Sequence, residues 1–143
     1  MNERNELEEV LKALHTMGVS TGEIEPDKNE YEISLPLHKK IDDGSEYETF
    51  LVSDNGKFYF TDKGATFKEL DKIFELKEPD VIKNLVAIMK HYGCRPKKNP
   101  KVDAVISSES EVIIDCTPQN VHLKLGHFIQ VRSFMLNMKI FYV

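Results

Sequence analysis

Residues 43–66 run Asp43-Gly44-Ser45-Glu46-Tyr47-Glu48-Thr49-Phe50-Leu51-Val52-Ser53-Asp54-Asn55-Gly56-Lys57-Phe58-Tyr59-Phe60-Thr61-Asp62-Lys63-Gly64-Ala65-Thr66. The Asn55-Gly56 pair accepts the positive φ angles of a type I′ turn, the strongest short-range hairpin signal. On one side lies a strand over Glu46–Val52. On the other lies a strand over Lys57–Thr61, with Phe58 and Phe60 on one face and Tyr59 on the other. Thr66 and Glu69 then have capping-box spacing, opening a helix with Phe67, Leu70, Ile73 and Phe74 on its apolar side. A hairpin that runs straight into a helix sets the α+β class.

Working outward toward the N-terminus, Tyr31, Ile33, Leu35 and Leu37 alternate with polar residues as a strand does, and Asp42-Asp43-Gly44 turns toward the hairpin. Residues 20–29 (Ser-Thr-Gly-Glu-Ile-Glu-Pro-Asp-Lys-Asn) are polar and turn-rich, which predicts a loop. Leu7, Val10, Leu11, Leu14 and Met17 recur at helical spacing, and Gly18 stops that helix. Toward the C-terminus, Pro79 suits the first position of a helix continuing through Leu85, Met89 and Tyr92 to Gly93. A basic loop, Arg95–Lys101, precedes two strands at Val102–Ser107 and Glu111–Cys116. Thr117-Pro118 then starts a last helix carrying Val121, Leu125, Phe128, Ile129, Arg132, Met135 and Met138.

The predicted order is α-βββ-αα-ββ-α in a single domain over residues 1–143: a mainly antiparallel sheet of about five strands with helices packed on one face. Hydrophobic residues at 41% and charged residues at 30% fit an ordinary globular domain. A net charge of −5 disfavours binding of duplex nucleic acid by charge alone. Apolar runs are far shorter than the ~20 residues a membrane-spanning helix needs. The charged start, without an apolar signal core, and two isolated cysteines, Cys94 and Cys116, set the expectation of a cytoplasmic protein with reduced thiols.

Few residues suggest chemistry. Thr61, Asp62 and Gly64, at a strand end, form a candidate ligand-binding edge, although an Asx-type turn with Gly64 at positive φ explains the same residues. Asp42, Asp43, Asp54 and Asp62 are the acids a metal-dependent nuclease or nucleotide hydrolase would draw on, Asp54 and Asp62 foremost, but turn chemistry accounts for the first three. His15, His38, His91, His122 and His127 lack metal-ligand spacing, and no nucleophile elbow, phosphate loop or dinucleotide fingerprint is present. No cofactor or metal is expected. Arg95, Lys97 and Lys98 are candidate contacts for phosphates or an acidic partner. Phe141 and Tyr142, in the apolar C-terminal run, are candidates for a dimer or partner surface.

Thr61-Asp62-Lys63-Gly64-Ala65-Thr66, with the leading strand Tyr31–Leu37 and the Asp43-Gly44 turn, resembles the bacterial and phage domain-of-unknown-function family eighteen-twenty-eight over roughly residues 30–138. Lys63 stands where an acidic residue is common in that family. The resemblance implies a small protein of bacteria, prophages or other mobile elements and brings no assigned activity. The element order also resembles that of type III secretion chaperones, dimers that bind extended segments of other proteins. The expectation is a non-enzymatic interaction module, an inhibitor or adaptor of a host protein, with a protein partner or a second copy of itself. The alternatives are the metal-dependent hydrolase and a nucleic-acid binder using residues 95–101.

Overall fold

The computed structural model describes residues 3–25, 29–34, 48–71, 79–98 and 110–137. In chain order the elements are α1 (Glu3–Thr16), β1 (Ser20–Glu25), β2 (Glu30–Ser34), β3 (Thr49–Asp54), β4 (Lys57–Thr61), α2 (Ala65–Asp71), α3 (Pro79–His91), β5 (Arg95–Lys98), β6 (Ser110–Cys116) and α4 (Val121–Asn137). Among the described residues the six strands form one sheet, ordered β1-β2-β3-β4-β6-β5, with every neighbouring pair antiparallel. The α+β class and the antiparallel sheet match expectation.

At the hairpin, Asp54 pairs with Lys57, and Asn55 and Gly56 take φ angles of 51° and 78°, as a type I′ turn requires. The register then places Leu51 opposite Phe60, and Phe60 opposite Ile114. These three share a core with Ile33, Phe58, Val112 and Cys116 and with residues of all four helices: Val10 and Leu14, Phe67 and Leu70, Leu85 and Met89, Leu125 and Phe128. The helices thus cover one face of the sheet. Phe50, Val52 and Ile113 alternate onto the opposite face and are also buried.

Helices α1 and α3 end in the same closure. Val19 N–H donates to Leu14 C=O and Gly18 N–H to His15 C=O, while Cys94 N–H donates to Met89 C=O and Gly93 N–H to Lys90 C=O. This is the Schellman motif, with a glycine at φ 84° in one and 74° in the other.

Two expectations are corrected. Residues 20–25, expected in a loop, form β1, which pairs with β2 from Ser20↔Ser34 to Glu25↔Glu30 across a bulge after Glu23. As an edge strand it meets solvent along one side, so a Ser/Thr/Gly/Glu composition suits it. The start of the expected basic loop is also a strand. Arg95–Lys98 is the other edge among the described residues, pairing with β6 from Arg95↔Ile113 to Lys98↔Ser110, and an edge tolerates Pro96, which has no amide to donate. The expected strand Val102–Ser107 and the turn at 42–44 lie outside the described residues.

Two helix starts also shift. Helix α4 begins at Val121 rather than Thr117, because Asn120 Oδ1 accepts from Thr117 N–H at 2.7 Å and closes a turn first. Thr66 lies inside α2 and does not cap it; that role falls to Asp62.

Candidate functional site

Strand β4 leaves the sheet at Thr61, and Lys63 and Gly64 follow at φ 51° and 91°. This left-handed pair swings the chain back so that the Asp62 carboxylate meets three amides. Its Oδ1 accepts from Gly64 N–H and Val112 N–H, and its Oδ2 from Thr66 N–H, each at 2.9 Å. The last β4–β6 backbone pair is Thr61↔Ile113. The Asp62 side chain therefore takes up the next amide of β6 after the β4 backbone has turned away. It also satisfies a first-turn amide of α2, as a helix cap does.

Next to it, Thr61 Oγ1 donates to Glu111 Oε1 at 2.7 Å and accepts from Lys63 N–H at 3.0 Å. Lys63 Nζ lies 2.9 Å from Glu30 Oε1 and 4.4 Å from the Phe50 ring centroid.

Behind the turn lies a residue that sequence reasoning set among the apolar positions of the last helix. Arg132 is fully buried. Its Nε donates to Thr66 Oγ1 at 3.1 Å, its Nη1 donates to Thr49 Oγ1 at 2.6 Å, and its guanidinium lies 5.4 Å from the Phe128 ring centroid. A buried cation requires such bonds. Thr49, Glu69 and Ser110 are buried as well and were not anticipated. The available signal was Arg132 itself, one cation at helical spacing from Leu125 and Phe128.

The candidate residues separate. Thr61, Asp62 and Gly64 do come together, but Asp62 is only 1% exposed and its two oxygens are engaged by backbone amides. The arrangement joins β4, α2 and β6. Arg95, Lys97 and Lys98 lie on β5, at the far edge of the sheet. Phe141 and Tyr142 lie outside the described residues, as do Asp42 and Asp43.

Asp54 and Asp62 do not converge. They flank opposite ends of β4, roughly 17 Å apart at strand rise. Among the described residues no three His, Cys, Asp or Glu side chains are grouped to hold a metal ion.

The histidines link elements. His122 Nε2 donates to Ala13 C=O at 3.1 Å, and His15 Nε2 lies 2.8 Å from Thr21 Oγ1. Both thiols are buried, and burial, the largest cause, pushes each up to about 12. For Cys94 the carboxylate of Asp62 adds to the rise, for Cys116 that of Asp115, and Lys124 opposes both. Neither is an activated nucleophile.

Comparison of the chain with protein-family models, curated protein sequences and solved structures returns no match.

Proposed function

We propose that this chain is a non-catalytic protein-binding domain whose contact surface includes the outer face of α4. One observation carries this reading. Leu123 and Phe134, 57% and 53% exposed, lie three turns apart on the same side of α4, with Gln130 exposed between them. Two large apolar side chains held in solvent on one side of a helix, about 16 Å apart along its axis, give a partner two points to anchor on. The inward direction of the Asp62 and Arg132 hydrogen bonds and the protonated, buried thiols support a non-enzymatic role. The finer assignment, an inhibitor or adaptor of a host protein carried by a mobile element, is part of this proposal; the resemblance noted in the sequence suggests the mobile-element setting and brings no activity of its own.

The test is affinity purification of the full chain from its native host, followed by light scattering and mass spectrometry of the eluate. A stoichiometric protein partner is expected. Leu123→Asp with Phe134→Asp is expected to lower recovery at least tenfold, about 1.4 kcal/mol or more, with the melting temperature unchanged. A wild-type chain that stays monomeric and captures nothing would overturn the reading.

A further inference from the structure

A cleft of about 660 Å³ opens between α1, the β3–β4 hairpin and the segment joining β6 to α4. Ligand clefts generally hold roughly 300–1,000 Å³. Phe58 and Cys116, both buried, form its floor, with Pro118 beside them. Among the described residues its lining includes the carboxylates of Glu6, Glu9 and Asp115 and the cation Lys57, and Lys124 is near enough to act on Cys116 at the floor. Glu6 and Glu9 stand one turn apart on α1 and make no hydrogen bond or ion pair among the described residues. One wall is held in place where His122 of α4 bonds to Ala13 of α1.

We propose that this cleft receives a short cationic segment of a protein partner, an arginine or lysine flanked by apolar residues. The aliphatic stem of such a side chain lies well on Phe58 and Pro118 while its charged head reaches the carboxylates. An anion would meet repulsion at the rim, and a wholly apolar segment would desolvate Glu6 and Glu9 without compensation. The space far exceeds one amine, which favours several residues of chain over a free small cation. The net charge of −5 attracts the same partner at longer range. The proposal rests on the protein-binding reading above and adds the chemistry of the partner.

The test is an NMR titration of the isotope-labelled full chain with the peptide acetyl-Leu-Arg-Leu-Lys-Leu-amide, and with a control carrying Gln in place of both cations. The amides of Gly56, Lys57 and Gln119 are expected to shift with the cationic peptide only. Glu6→Gln with Glu9→Gln should weaken it about tenfold, and raising salt from about 50 to about 300 mM should weaken it further. Equal binding of the Gln peptide, shifts elsewhere, or an unaffected double variant would overturn the proposal. So would free arginine amide competing as well as the peptide, since that identifies a small-amine site. If the chain captures a partner but the peptide moves none of these amides, the cleft assignment falls alone. If neither occurs, the protein-binding reading falls with it.

Discussion

Asp62 accepts from three amides that belong to three different pieces of backbone: its own turn, the first turn of α2, and β6. Asp62→Ala strands all three donors in a buried place. The expected loss is about 3–5 kcal/mol in urea unfolding, and Asp62→Asn, which keeps one acceptor oxygen, should lose about half as much. The thiols act in the alkaline range. Unfolded, Cys94 and Cys116 ionise near their ordinary value of 9.0; folded, they hold their protons to about 12. Their contribution is therefore fully present below pH 9 and is lost as pH rises from 9 toward 12. Stability should fall over that window, and the fall should be smaller in Cys94→Ala with Cys116→Ala, measured by denaturant titration at successive pH values.

At the level of elements, what was legible in the sequence was local chemistry. Asn55-Gly56 announced its hairpin, and Gly18 and Gly93 announced two helix ends, because each position requires a positive φ. A methyl group added at Gly18 would meet open space, so Gly18→Ala probes backbone conformation alone. It should cost about 1 kcal/mol by thermal melting, with Gly18→Asn milder. Strands β1 and β5 were illegible for the opposite reason: their pairing is supplied by β2 and β6, and their own residues read as turn or solvated loop. Asp62 was visible as a turn former, but its reach to Val112, fifty residues away, was not. Arg132 was hidden because spacing reports which side of a helix is inward, and says nothing of what a polar side chain finds there.

At the scale of the whole molecule, the chain leaves the sheet after β4, forms α2 and α3, lays β5 at the far edge and then inserts β6 between β5 and β4. Sequence order alone does not reveal that insertion, because it depends on contacts made far along the chain. Among the described residues the sheet keeps two edges, each blunted in its own way. Strand β1 has its bulge and Glu23, and β5 has Pro96 flanked by Arg95, Lys97 and Lys98. Pro96→Val with Lys97→Thr and Lys98→Val turns β5 into a run that invites another strand. Size-exclusion chromatography should show concentration-dependent association in this variant and not in the wild type. Unchanged elution would mean that these residues do not guard the edge.

The Asp62–Val112 bond and its neighbour, Thr61–Glu111, each join positions fifty residues apart. Side by side they act as a clasp at the neck of a long excursion of the chain. Closing such a loop depends only weakly on its length, about 0.6 kcal/mol for each doubling. The clasp therefore marks where this architecture has room to grow. Residues inserted on the excursion leave the neck undisturbed, whereas a one-residue change at the neck moves Asp62 off its amides and uncouples the two halves of the sheet.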